Sequence, residues 1–246
     1  MVTRNIKLTI AYDGSEYHGW QIQPREKTIQ GEVTQAISKL VGSEIQVFGA
    51  SRTDAGVSAL GQTALIQIDS PIPTENLAKA ITDKLPVDIA VTKATEVPKG
   101  FDVIGAVKSK LYRYTIFTGQ NRPVLQIRHC WHLPTKLDIT AMAKAVKLLI
   151  GKKNFKSFAS AADQRESSVR TIFRCDVTCD SGCVYIETQG DGFLYNMVRN
   201  IVGTLVEVGV KRMKPEKIEQ ILQAKDRTAA GPIAPAEGLC LIWIKY

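Results

Sequence analysis

Ile6-Lys7-Leu8-Thr9-Ile10-Ala11-Tyr12-Asp13-Gly14 alternates in hydrophobicity and ends on a turn dipeptide. Period-two alternation places Ile6, Leu8, Ile10 and Tyr12 on one face of a strand, and Asp-Gly then turns the chain. The next segment changes period. Thr28 precedes Ile29, Val33, Ile37 and Leu40, which share one stripe of a helix, and Gly42 follows its end. Thr28 can cap the first turn, and a glycine accepts the left-handed backbone that closes the last. Strands are expected at Ile45 to Ala50 and Gln62 to Ile68. A helix opening at Thr74 carries Leu77, Ile81 and Leu85, and a strand follows near Ile89 to Thr95. This β-α-β-β-α-β order is the ferredoxin-like arrangement.

The order recurs downstream. Leu111 to Phe117 reads as a strand. Asp138 can cap a helix with Met142, Val146 and Leu149, closed by Gly151. Val169 to Cys179 and Cys183 to Gln189 read as strands around the turn Asp180-Ser181-Gly182. Tyr195 to Val208 is apolar on most sides, which predicts a largely buried helix. Pro215 to Gln223 adds a helix, and Leu239 to Tyr246 closes as a strand. The expected fold class is α+β: two similar ferredoxin-like halves, residues 1–104 and 105–246, forming an extended, mainly antiparallel sheet with a central basic cleft.

Composition narrows the partners. The chain has 246 residues, 44% of them hydrophobic, enough for a sizeable core. No apolar run is long enough to span a bilayer, and Met1 to Lys7 has no secretory apolar stretch, so the expected location is cytoplasmic with no membrane partner. The net charge of +8 favours a polyanionic partner. Cys175, Cys179 and Cys183 recur every fourth residue. No fourth ligand of suitable spacing accompanies them, so they read as small core hydrophobes rather than a metal site.

Three segments concentrate reactive groups. Ser51-Arg52-Thr53-Asp54-Ala55-Gly56-Val57 puts a cation, a hydroxyl, a carboxylate and a glycine into one connection between strands. It reads either as an ordinary Asx-type turn or as a loop that presents Asp54 for chemistry. Gly190-Asp191-Gly192-Phe193 leads into the most apolar helix, which carries Arg199 and Asn200. A buried arginine needs an acidic partner, although its apolar stem also allows it to reach the surface. Tyr112-Arg113-Tyr114 puts both tyrosines on one strand face, either as core or as a surface for a base.

Together these segments resemble the tRNA pseudouridine synthase A family nearly end to end. Tyr17-His18-Gly19-Trp20-Gln21-Ile22-Gln23 looks like its N-terminal signature. Arg52 to Val57 resembles its catalytic motif and Tyr112 to Tyr114 its tyrosine motif. Asn154 to Phe158, Ser168 to Ile172, Gly192 to Gly203 and Thr228 to Leu241 are also similar. The resemblance implies a cofactor-free, metal-free isomerase, a homodimer that converts uridine to pseudouridine in the tRNA anticodon stem-loop. It implies that Asp54 is the catalytic aspartate, Arg199 its paired arginine and Tyr112 the tyrosine against the target base. Arg52 corresponds to a residue that holds the flipped nucleotide.

Three positions depart from the pattern. Ser51 stands where glycine is usual, Ser58 where histidine is common, and Ile104 where arginine is usual. Chemistry is expected to survive, with RNA grip or target range altered. Two rival readings remain. A non-catalytic RNA-binding protein of the same fold has no need for Asp54 with Arg199. A base-releasing glycosidase generally needs a second carboxylate to activate water, for which Asp191 is the best candidate.

Overall fold

The structure, a computed structural model, describes residues 3–246. The chain divides into two compact units, one running to Lys108 and regaining Leu241–Tyr246, the other Ser109–Cys240. The first unit contains β1 (Arg4–Tyr12), α1 (Ile29–Val41), β2 (Val47–Gly49), β3 (Ser58–Ile68), α2 (Thr74–Thr82) and β4 (Ile89–Val97). Its final strand was expected to belong with the second half. Instead, Leu241–Tyr246 pack with the first, where Tyr246 Oη donates to the Val103 carbonyl at 2.9 Å.

In this unit β1 lies between β4 and β3, antiparallel to both, and β2 pairs with the far end of β3. The alternation that marked β1 as a strand decides its burial, since Ile6, Leu8 and Ile10 are wholly enclosed. Helix α1 buries Ile29, Val33, Ala36 and Ile37, its apolar stripe. Its ends are as read from sequence: Thr28 accepts from the Gly31 N–H, and Gly42 takes φ 75°. Helix α2 begins at Thr74, but the hydroxyl there accepts from Arg4 rather than capping the helix.

The second unit contains β5 (Ser109–Phe117), β6 (Trp131–His132), α3 (Ile139–Lys147), β7 (Gly151–Asn154), β8 (Val169–Asp180), β9 (Cys183–Gly190), α4 (Met197–Gly209), α5 (Lys217–Ala224) and the start of β10 (Leu239–Lys245). The sheet order is β5-β9-β8-β7, antiparallel throughout, with β6 parallel to β5. Two short strands, β6 and β7, go beyond the expected order; runs of two and four residues carry too little alternation to be seen. Gly151 does not close α3. It starts β7 at φ 103°, three residues after the cap at Leu148.

Helix α4 starts two residues later than expected because Asn196 adopts a left-handed conformation, φ 59°. Eleven of its residues are buried, all except Arg199 and Glu207, in keeping with its nearly uniform apolar sequence. The cysteine reading needs correction. Cys175 is buried, and burial pushes its thiol up to about 12, but Cys179 is exposed and Cys183 partly so. Both flank the β8–β9 turn.

Candidate active site

The loop between β2 and β3 is held by the segment that begins at the end of β1. Tyr12 Oη and Thr53 Oγ1 share a buried hydrogen bond of 2.8 Å. The Trp20 N–H donates to the Thr53 carbonyl at 3.1 Å, and the Gly56 N–H to the Tyr17 carbonyl at 3.2 Å. The Gly14 N–H donates to Ser58 Oγ at 3.0 Å. Two glycines make this approach possible. A Cβ at Gly14 would overlap the Val57 carbonyl, and one at Gly19 would lie 2.6 Å from the Thr53 oxygen. From the β3 side, Gln62 donates to the Ser51 carbonyl at 2.7 Å.

The result is a loop whose backbone is fixed at nearly every residue while its charged side chains are not enclosed. Asp54 is half-buried and Arg52 exposed; Thr53 between them points into the core. The Asp54 carbonyl accepts the Val57 N–H at 3.1 Å, and Gly56 takes φ 77°. The turn expected from Asp and Gly is therefore present, and it is compatible with a presented carboxylate. Ser58, one of the departures, has a role here, since its buried hydroxyl satisfies the Gly14 amide.

The remaining assigned residues belong to the second unit. Tyr112 is buried on β5 and meets Phe193 edge-on, ring centroids 5.3 Å apart. Tyr114, on the same strand face, is fully enclosed; its hydroxyl donates to the Pro235 carbonyl at 2.8 Å, and burial raises its pKa strongly. Arg113 faces the other way and pairs with Glu187. Thus Tyr114 is a core tyrosine, and Tyr112 sits in an aromatic pair at the edge of the glycine turn.

Arg199 is half-buried on α4. Its Nε donates to the Ala234 carbonyl at 2.9 Å, and one terminal nitrogen reaches Asn196 Oδ1 at 3.3 Å. The accepting carbonyl is at the end of a strap, Thr228 to Ala234, laid along the helix. Gly203 allows the strap to touch, since a Cβ there would overlap the Pro232 carbonyl oxygen. Thr204 Oγ1 accepts the Gly231 N–H at 3.0 Å. Asn200, the other polar residue of this helix, is a structural staple: it donates to the Phe158 carbonyl and accepts from Arg227.

Asp191 accepts the Thr171 N–H at 2.9 Å and ties the glycine turn to β8. That bond fits the shaping role. Ile104 is 64% exposed on a turn whose amides, Ile104 and Gly105, donate to Asp102. Those two bonds hold the Asp102 carboxyl below its usual range.

A model of the tRNA pseudouridine synthase family matches residues 8–104 and 145–246. The tRNA pseudouridine synthase A of Caldicellulosiruptor saccharolyticus is 43% identical over 243 residues, 99% of this chain and all of the relative. That of Moorella thermoacetica is 44% identical, over 98% of this chain and 99% of its own length. The chain belongs to the tRNA pseudouridine synthase family.

In this member of the family, sequence reading located the motifs but not what supports them. Tyr12 and Gly14 were not singled out as parts of a site, and Phe193 was given no role there. Tyr12 reads as one more apolar residue in an alternating strand, and nothing in that pattern reveals where its hydroxyl points. Phe193 was visible as the residue after two glycines, but its partner Tyr112 is eighty-one positions away in sequence.

Proposed function

We propose that this protein isomerises uridine to pseudouridine in tRNA, with Asp54 as the catalytic carboxylate. The observation that carries the reading is the Asp54 loop, with its backbone pinned from two sides and its carboxylate left half-exposed. Catalysis by positioning requires a group held within a fraction of an ångström, and a fixed backbone under a presented side chain supplies that. An ordinary surface turn has no need of this many restraints.

The reaction breaks the bond from ribose C1′ to uracil N1, turns the base and joins C1′ to C5. The C5 proton leaves to solvent and N1 gains one, so no oxidant, reductant or cofactor is required. Asp54 either attacks C1′ as nucleophile or takes the C2′ proton to give a glycal. Arg199 serves as the counter-ion that keeps the carboxylate charged and directed. Tyr112 holds the loosened base, and Arg52 meets phosphate as the nucleotide leaves its stack, a step costing roughly a few kcal/mol. The anticodon stem-loop is the proposed target, and the working form is a cytoplasmic homodimer.

The test uses tRNA tritiated at uridine C5. Pseudouridine formation releases the label to water, whereas base excision or binding alone does not. Failure of the protein to release label from any tRNA pool would remove this reading.

A further inference from the structure

The turn that leads into β4 carries a carboxylate that the reaction above does not use. Leu85-Pro86-Val87-Asp88 leaves α2 on a hydrogen bond from the Leu85 N–H to the Thr82 carbonyl and enters β4 on one from the Ile89 N–H to the Pro86 carbonyl, each 3.0 Å. Val87 is fully exposed, whereas Asp88 is half-buried. Asp88 grips the segment after β1 at two points. Its carbonyl accepts the Asp13 N–H at 3.0 Å, and its Oδ1 accepts the Tyr17 hydroxyl at 2.7 Å. Between these points the Tyr17 N–H donates to the Gly14 carbonyl at 3.0 Å, and Asp13 Oδ1 accepts both the amide and the hydroxyl of Ser15. Residues 13–17 and Asp88 thus close a ring of hydrogen bonds.

The ring bears on the loop of Asp54. The Tyr17 carbonyl accepts the Gly56 N–H, two residues beyond Asp54, and the Gly14 N–H bonds Ser58. Tyr17 itself is enclosed, with the Lys27 ammonium 4.4 Å from its ring centroid. Burial, and after it the bond and charge of Asp88, push the phenol well above its usual range, so it stays a donor at any working pH. A buried tyrosine hydroxyl needs an acceptor, but a backbone carbonyl suffices, as that of Pro235 does for Tyr114. A carboxylate makes a charge-assisted bond, roughly twice as strong as a neutral one. Here that stronger bond joins residues 71 positions apart and ties the support of the Asp54 loop to the start of β4.

We propose that Asp88 is a positioning residue for the isomerisation, acting through the Tyr17 hydroxyl to fix the loop that presents Asp54. The proposal rests on the reading of Asp54 as the catalytic carboxylate. The Asp88 carboxylate sets where the Tyr17 ring stands, the ring sets the Tyr17 carbonyl, and that carbonyl holds Gly56 in the turn after Asp54. Asp88 acts on the loop and not on the RNA, so its loss slows the chemical step and leaves affinity alone.

The experiment compares the parent with Asp88→Ala, Asp88→Asn, Tyr17→Phe and the double variant Asp88→Ala with Tyr17→Phe. Single-turnover release of C5 tritium at saturating tRNA, tRNA affinity, a thermal melt and hydrogen exchange of the Gly56 amide are read for each. Asp88→Ala should lower the single-turnover rate about tenfold with affinity unchanged, because a small misplacement of a reacting group carries a penalty of that order. Asp88→Asn, which keeps an acceptor at the same place, should recover most of the rate. The double variant should be no slower than the slower single one, because both changes remove one bond. The Gly56 amide should exchange about tenfold faster in Asp88→Ala and Tyr17→Phe, while the amides of β9 exchange as in the parent. A lowered melt with a parent-like rate in Asp88→Ala overturns the proposal and leaves Asp88 a structural acceptor. Multiplied losses in the double variant, or an Asp88→Asn as slow as Asp88→Ala, overturn it as well. Parent-like Gly56 exchange in Tyr17→Phe overturns it even where Asp88→Ala fails to fold. If the parent itself released no C5 label, the catalytic reading would fail, while Gly56 exchange would still judge the tether.

Discussion

At the scale of single residues, the account depends most on contacts that hold Asp54 without touching substrate. Tyr12 is the clearest, since its hydroxyl bonds Thr53, the residue before Asp54, in a buried environment. Tyr12→Phe keeps the ring and its packing at 6.1 Å from Trp20 but strands the Thr53 hydroxyl. The stability cost should be about 1–2 kcal/mol. Turnover should fall about tenfold with tRNA affinity unchanged, because small misplacements of a reacting group carry penalties of that order. Single-turnover kinetics beside a binding isotherm reads both; parent-like turnover would mean that the hydroxyl pair does not set the loop. Ile104 poses the opposite case. It is an exposed apolar side chain where the sequence resemblance leads one to expect arginine. Because no core surrounds it, Ile104→Arg should leave the melt within about 0.5 kcal/mol of the parent and tighten tRNA binding. Unchanged affinity would show that the departure carries no lost contact.

At the scale of elements, the strap along α4 makes the strongest claim. Gly203→Ala would drive a methyl into the Pro232 carbonyl, and backbone on backbone contact cannot be relieved by a rotamer change. The strap must shift, and with it Ala234, whose carbonyl holds Arg199. The expected cost is about 1–3 kcal/mol, seen as a melt lowered by several degrees, together with reduced turnover. A melt equal to the parent's would show that the strap yields freely. Long periodic elements were legible from sequence because their burial follows their period: β1, α1, β8, β9 and most of α4 stand where alternation or helical striping placed them. What was not legible depends on local chemistry that periodicity does not encode. The late start of α4 comes from the left-handed Asn196, and the exposure of Cys179 from the position of a turn. Thr74 opens α2 as read, but the engagement of its hydroxyl by Arg4, seventy residues earlier, follows from no local pattern.

At the scale of the whole molecule, sequence and structure contribute different parts of the argument. The fold class and the family could both be inferred from sequence, because many motifs occur in order along one chain. The return of Leu241–Tyr246 to the first unit was not, since a strand's sequence specifies a face and a length but not a partner sheet. The same limit applies to the candidate site. Motifs pointed to Asp54, Arg52, Tyr112 and Arg199 as candidates, whereas the restraint of the Asp54 loop by residues 12–20 emerged only from the folded chain. A net charge of +8 favours a polyanionic partner, but a half-buried carboxylate presented toward that partner would work against binding and requires a chemical reason.

That reason is tested most directly by Asp54→Asn. The amide preserves shape and removes charge, nucleophilicity and basicity, and the fixed loop around it should keep the fold intact. The account predicts a protein that melts near the parent, binds tRNA at least as tightly, and releases no tritium from uridine C5. Substantial label release by Asp54→Asn would contradict the central claim, whatever its melt or its affinity.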